Sequence, residues 1–311
     1  MIAHSEDSSP GRSSGVVVVG QAARDLVLRT EHLPEPNGDA AVAETIETLG
    51  GKGANQSVGL RQLGASVRLL AVLGTDAAGD DAARTATSDG IDLDWLVRRG
   101  TTALLVDVVD ADASRFLLER VPDDSLVVED DVRAAVAAGV LDGCDTVVLQ
   151  LQQPPTTVLE AARAARERGL RVVIDGGLEG GARDEALGLA DVVRADATEA
   201  RMLTGTSLSS PDEARAAAAS ILSAGVSVVA LTVEGEGDLV AWPDGDAFFA
   251  FGDAHVVDPT GAGDAFVAGL VTGLRLELHP GAAGELAHRA AAATVGRVGG
   301  RPDLRHIAPG A

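Results

Sequence analysis

Asp258-Pro-Thr-Gly-Ala-Gly-Asp-Ala-Phe266 runs straight into the apolar, helix-compatible stretch Val267-Ala-Gly-Leu-Val-Thr-Gly-Leu274. The order predicts a glycine-rich turn at a helix N-terminus with one carboxylate, Asp264, in the first turn. Free amides point outward there, and the helix dipole adds about half a positive charge. Such an end suits a phosphate or a developing oxyanion. A carboxylate beside it is a poor phosphate ligand, because like charges repel. It fits a base that takes a proton from a hydroxyl while the amides of Gly261, Ala262, Gly263 and Asp264 form an anion hole for a phosphoryl group in transfer. Glycine lets the backbone approach a ligand closely. The plainer reading, an ordinary cap whose acid neutralises the dipole, would suffice for a Gly-x-Gly-Asp standing alone.

Upstream, short β-branched runs recur at Val16–Val19, Val67–Val72, Thr146–Leu151, Arg171–Ile174, Ala190–Val193 and Val226–Thr232. Alanine-rich stretches with helical spacing lie between most of them, such as Thr156–Arg168 and Pro211–Ala224. Unbroken apolar strands alternating with helices predict an α/β fold, a mostly parallel sheet covered on both faces. Two regions break the pattern. Asp25–Thr48 and Leu96–Leu118 alternate as strands with turns, for example Thr102–Val109 and Ser114–Leu118 around Asp110-Ala-Asp112. They predict a small antiparallel lid emerging from the main sheet, within a single domain over residues 15–311.

The chain of 311 residues is 46% hydrophobic, so it buries a substantial core. Aromatics are 2% and tyrosine is absent, which makes that core aliphatic and alanine-rich. The net charge of −22 argues against nucleic acid and anionic membrane surfaces as partners. One cysteine, Cys144, excludes an intramolecular disulfide and fits a reducing, cytoplasmic setting. It precedes an apolar strand with no motif around it, which predicts a small core residue. No apolar run approaches the ~18 residues of a membrane span. The first fourteen residues are polar, carry Glu6 and Asp7, and read as a disordered leader rather than a signal peptide.

Gly50-Gly-Lys-Gly-Ala-Asn-Gln-Ser-Val-Gly-Leu-Arg-Gln-Leu-Gly64 is a second glycine-rich entry to a helix, with Lys52 and Asn55 among small residues. In order and spacing, the two segments resemble the signature regions of the ribokinase, or PfkB-type, carbohydrate kinases. The resemblance runs from Val16 to about Pro302. It implies a Rossmann-like core with a β-lid over a sugar, ATP as phosphoryl donor, Mg²⁺ and K⁺ as cofactors, and a homodimer formed through the lid strands.

Residue by residue, the resemblance implies that Asp264 is the general base. Asp25, Gly51, Lys52, Asn55 and Gln152 would line the sugar pocket. Asp196-Ala-Thr-Glu199 matches a family Asn-x-x-Glu in which the glutamate organises Mg²⁺; without the resemblance it reads as a capping box. Thr232, Glu234, Gly235 and Gly237 occupy the phosphate-contacting loop, and His288 a position beside adenine. Asp258, Thr260, Val295, Gly299 and Asp303 resemble a monovalent-cation loop. The chain departs from ribokinase at Ala23, Gln152, Asp196, Glu234 and Asp303. The first two alter polar contacts to ribose, and an unmade bond to a buried group costs about 1–3 kcal/mol. Three readings follow. One is an ATP-dependent sugar kinase, most simply acting on D-ribose. Another is a family kinase for fructose, another hexose or a nucleoside. The third is a sugar-binding sensor that has lost catalysis.

Overall fold

The computed structural model describes residues 14–34, 37–112, 114–252 and 256–309. Apart from Ser14, the segment read as a leader lies outside them. The first strand, β1 (Gly15–Val19), is buried along its whole length. It is followed by β2 (Ala23–Thr30), β3 (Val42–Gly50), α1 (Lys52–Gln62), β4 (Ser66–Leu70), β5 (Val72–Leu73) and α2 (Ala77–Ser88). Next come β6 (Val97–Arg98), β7 (Ala103–Val109), β8 (Arg115–Arg120), α3 (Glu129–Ala137) and β9 (Cys144–Gln150). The chain then alternates through α4 (Pro155–Glu167), β10 (Arg171–Asp175), α5 (Gly180–Leu189), β11 (Val192–Ala195), α6 (Ala197–Thr204), α7 (Pro211–Leu222) and β12 (Val228–Val233). It ends with the hairpin β13 (Gly237–Trp242) and β14 (Gly245–Ala250), then α8 (Ala262–Arg275) and α9 (Pro280–Thr294).

The large sheet has the order β14-β13-β12-β11-β10-β9-β1-β4. All pairs from β4 to β12 are parallel; the terminal hairpin is antiparallel. Residues of β1 alternate between two cores. Val17 and Val19 pack on the α3–α7 side, Val16 and Val18 on the side of α1, α2, α8 and α9. That two-sided burial explains why the parallel strands are built around β-branched and aliphatic residues. Leu149, Ile174 and Leu231 are wholly buried, each contributing about 1.5–3 kcal/mol.

A smaller sheet has the order β3-β2-β7-β8. Its outer pairs are antiparallel, as the alternating sequence predicts, while β2 and β7 run parallel in the middle. From β1 the chain moves to β4 on one side and only later to β9 on the other. The gap between β1 and β9 is therefore a switch point, whose carboxyl edge is the usual ligand crevice of such sheets. Gln21, just after β1, donates its N–H to Gln150 Oε1 across that gap at 3.0 Å.

Cys144 is half-buried and packs at the margin of one core rather than inside it. Burial raises its thiol pKa, partly offset by Arg68, whose guanidinium lies 3.3 Å from Sγ. Among the described residues, no helix is long and apolar enough to cross a membrane.

Candidate active site

Helix α8 begins at the quoted glycine turn. Gly261 is its N-cap in the left-handed conformation (φ 74°), and a side chain there would collide with the Gly300 carbonyl. Among the described residues, no side chain caps this end, and the N–H groups of Gly263 and Asp264 have no carbonyl partner within the helix. They face a cavity of about 280 Å³ lined by Gly261, Ala262, Gly263 and Asp264, with Lys52, Arg194, Asp196 and Thr232 on its other walls.

Asp264 is 6% exposed. Asn55 Nδ2 donates to its Oδ2 at 3.2 Å, and Gln56 Nε2 to its Oδ1 at 3.1 Å. The same Gln56 nitrogen donates to Asp175 Oδ2 at 2.8 Å, so one amide bridges two carboxylates. Burial first, then the Asp175 charge, pushes Asp264 up to about 7, against the opposing pull of Lys52 and the Asn55 bond. A carboxyl poised there serves as a base near neutral pH. Lys52, Asn55 and Gln56 lie at i, i+3 and i+4 of α1 and so share one face.

Asp175 and Arg194 pair across β10 and β11, with Arg194 Nη1 donating at 3.1 Å. Burial raises the Asp175 pKa despite Arg194 and Lys52. Lys52 Nζ donates to Glu199 Oε1 at 2.6 Å. Burial alone would discharge Lys52, but Asp175 and Glu199 hold its pKa above the usual lysine value. For Glu199, Lys52 and Arg194 overcome burial and keep the carboxylate ionised. Asp196 and Glu199 also form a complete capping box on α6: Glu199 N–H donates to Asp196 Oδ1 and Asp196 N–H to Glu199 Oε2, each at 2.9 Å.

On the small sheet, Asp25 is 3% exposed and sits over Gly50, where any side chain would occupy the space of its carboxylate. Its Oδ1 is buried without a partner among the described residues. Burial, then Asp107 and Asp264, push it up to about 7. Asp107, on β7, is buried and ion-paired with Arg115. Gln152 stands apart from this buried set. It is exposed just past β9, and its Oε1 accepts from Gln150 Nε2 at 2.7 Å.

The expected nucleotide-side residues are only partly gathered. Thr232 lines the cavity and donates to Asp238 Oδ1 at 2.8 Å. Glu234 and Gly235 are exposed in the β12–β13 turn, and neither they nor Gly237 line the cavity. His288 lies behind the cavity wall, stacked on Phe249 at 5.7 Å, with Nδ1 3.7 Å from Asp238 Oδ2. The cation-loop residues do converge. Asp258 is fully buried and accepts from the Thr260 and Gly299 N–H groups at 2.8 Å each, while Val295 O accepts from Val257 and Asp258. Thr260 Oγ1 is buried without a partner among the described residues. Asp303 is held by Arg297 at 2.7 Å.

Sequence reasoning did not single out Gln56, Asp107, Asp175, Arg194 or Asp238. Two of these carry a readable signal. Val172-Val-Ile-Asp175 and Val192-Val-Arg194 each place a charge where an unbroken apolar strand ends, which is the carboxyl edge of a buried parallel sheet.

With this geometry in view, comparisons with known proteins agree on the family. The sequence profile described as pfkB family carbohydrate kinase matches residues 13–307. The chain is 32% identical over 295 residues to the ATP-dependent ribose-1-phosphate kinase of Halopiger xanaduensis, covering 92% of this chain and 93% of that one. It is 27% identical over 293 residues to the ribokinase of Haemophilus influenzae, covering 93% and 94%. A bifunctional ribokinase/ribose-5-phosphate isomerase A of Fructilactobacillus sanfranciscensis is 28% identical over 85% of this chain, which spans about half (49%) of that protein's length. The Arabidopsis thaliana ribokinase solved with ribose and ATP superposes with a TM-score of 0.78 at 24% identity, over 95% of this chain and 98% of that one. The α/β architecture with its small second sheet is thus the ribokinase fold, and the chain belongs to the pfkB family of carbohydrate kinases, phosphotransferases that act on a sugar hydroxyl.

Proposed function

We propose that the protein transfers the γ-phosphoryl group of ATP to a hydroxyl of a free pentose, with D-ribose, giving ribose 5-phosphate, as the first candidate. The observation that carries this reading is a buried carboxylate, Asp264, set beside the unbonded amides of its own helix N-terminus. A hydroxyl lying against Asp264 gives up its proton to that carboxylate as the phosphoryl group arrives, an assistance of typically ~10²–10⁴-fold. The Gly261–Asp264 amides stabilise charge on the group in transfer. Asn55 and Gln56 fix the orientation of the base. Asp25 accepts from adjacent sugar hydroxyls, and its unpartnered Oδ1 is an atom such a hydroxyl would satisfy. The small sheet acts as the lid.

The donor sets fit the two metal ions unequally. Mg²⁺, when bound, neutralises the phosphates, and it commonly uses one or two carboxylates besides them. Asp196 fits that role, since it lines the cavity and only its Oδ1 is engaged in the capping box among the described residues. Glu199 fits less directly, because its oxygens are bonded to Lys52 and to the Asp196 N–H. A monovalent cation fits beside Asp258 and the orphaned Thr260 hydroxyl. Asp303, held by Arg297, fits less well.

The 32% relative named for ribose 1-phosphate supports a second reading, a phosphosugar acceptor. Three cations of the small sheet favour the free sugar, being already matched by acids: Arg24 is bound to Glu47, Arg29 faces Glu44, and Arg115 is bound to Asp107; Arg120, at the end of β8, is exposed. The exposed, apolar Phe116 and Leu118 of edge strand β8 support a homodimer through this sheet, which light scattering of a Phe116→Glu variant tests as a halving of mass.

The deciding experiment is ADP release from MgATP with K⁺ across ribose, deoxyribose, ribose 1-phosphate, fructose, other hexoses and nucleosides. Turnover highest on ribose upholds the proposal, and means that Ala23 and Gln152 are compensated. Turnover highest on another acceptor replaces ribose and makes those two positions the first suspects for the switch. Sugar binding without ADP production would establish the sensor reading instead.

A further inference from the structure

We infer that the Arg194 guanidinium is a fixed cation of the phosphate cradle, contacting the phosphoryl group in transfer alongside the backbone amides of α8. The inference rests on the phosphotransfer reading above and adds a residue to it.

Its first support is position. Arg194 is 8% exposed, yet it lines the same cavity as Gly261, Ala262, Gly263 and Asp264. A methyl group placed on Gly263 would come within 2.6 Å of its Nη2, so the guanidinium lies directly against the first turn of α8. A side chain at 263 would therefore have to displace the guanidinium from this place.

Its second support is how the guanidinium is held. Nη1 bonds to Asp175 at 3.1 Å and faces Glu199 at 3.6 Å. Among the described residues, Nη2, on the Gly263 side, has no acceptor. One edge of the planar group is anchored and another is turned towards the cradle. Arginine is suited to this, because its fork can serve a carboxylate and a phosphate at once.

Charge balance is the third support. The cavity wall carries Asp196, Asp238 and Asp264 against Lys52 and Arg194, and Lys52 is already committed to Glu199. A polyphosphate approaching a chain of net charge −22 meets a net long-range repulsion. A second cation whose charge does not titrate away offsets it at the reacting end. A pair that served only to neutralise Asp175 would have no reason to stand in the cavity wall.

The test separates the terminal phosphate from the rest of the nucleotide. Affinities for the non-hydrolysable analogue β,γ-imido-ATP and for ADP are measured by calorimetry, with kcat alongside. The variants are Arg194→Lys, Arg194→Met and the neutral pair Asp175→Asn/Arg194→Gln, which leaves no buried charge unmatched. Arg194→Met and the neutral pair should weaken the analogue at least tenfold, leave ADP within about twofold, and lower kcat about 10²-fold, the usual effect of losing one such contact. Arg194→Lys should recover part of the analogue affinity. If the neutral pair binds the analogue as the wild type does, or loses analogue and ADP equally, Arg194 does not touch that phosphate. A wild type that binds neither nucleotide would instead overturn the phosphotransfer reading, before any variant is compared.

Discussion

Asp264 is in the first turn of a helix, where its charge would be welcome, yet it is buried beside a second carboxylate, where its charge is costly. Burial and Asp175 prevail, and the group titrates at about 7. As a base it works only when ionised, so kcat/KM should rise with pH through about 7 and level off above. Asp264→Asn should lose more than nine-tenths of kcat together with that rise. Stability moves the opposite way. Between the ordinary carboxyl range and about 7, folded Asp264 and Asp25 keep protons that the unfolded chain has released. The unfolded state then binds fewer protons, and their contribution to stability falls as pH rises. Thermal melts of Asp264→Asn should accordingly decline less steeply from pH 5 to 8 than those of the wild type. Gln56 supplies the third residue-scale expectation. Gln56→Leu removes the amide between Asp175 and Asp264, which should lower kcat at least tenfold and move the pH profile upward, since the ionised base loses a donor. An unshifted profile would mean that the bridge does not act on the base. Asp264, Asn55 and Lys52 were legible because they sit in glycine-rich segments. Gln56 lies in the same segment but was not singled out, because a neutral glutamine beside Asn55 looks like helix filling. Asp175 and Arg194 explain each other only once β10 and β11 are neighbours.

At the scale of elements, α8 and α9 are joined by close backbone approach. A methyl at Gly269 would come within 2.6 Å of Ala287 Cα, and one at Gly273 within 2.7 Å of Ala283. The position of the α8 N-terminus depends on this packing, since Gly269 is less than two turns beyond Asp264. Gly269→Leu should cost at least about 1–3 kcal/mol, as overpacked sites do, read as a drop in the denaturation midpoint. The parallel strands were readable because burial on both faces gives each a run of apolar residues, with charges mostly near the ends, and the sequence expectations find all six. The β13–β14 hairpin was not expected. Pro243-Asp244-Gly245 marks its turn, but the flanking runs are short, and β13 opens on Gly237 and Asp238, which read as loop. The parallel contact of β2 with β7 was beyond local pattern, since it joins segments about eighty residues apart through the main sheet.

For the molecule as a whole, the charge of −22 sets how nucleotide approaches. Exposed like charges repel ATP over roughly a Debye length, about 10 Å at 0.1 M salt and about 30 Å at 0.01 M. Raising an inert salt from about 10 to 100 mM, with Mg²⁺ and K⁺ fixed, should therefore lower KM for ATP and leave KM for a neutral sugar nearly unchanged. Equal responses would argue that long-range charge has no part in capture. Such a field is legible from composition alone; the cavity that it surrounds is not, because its walls come from α1, β11, the N-cap of α6, β12, β13, α8 and α9.

The bond from Asn55 to Asp264 joins residues 209 positions apart. A ribosome reaches the two ends of that bond at very different times. A nascent chain stopped before Asp258 already has Asp25, Lys52, Asn55 and every strand of the main sheet, but it lacks Asp264 and the helix N-terminus beside it. On the reading proposed above, such a fragment has no means of spending ATP, whatever sugar it binds. Synthesis then completes the sheet before it supplies the proposed base.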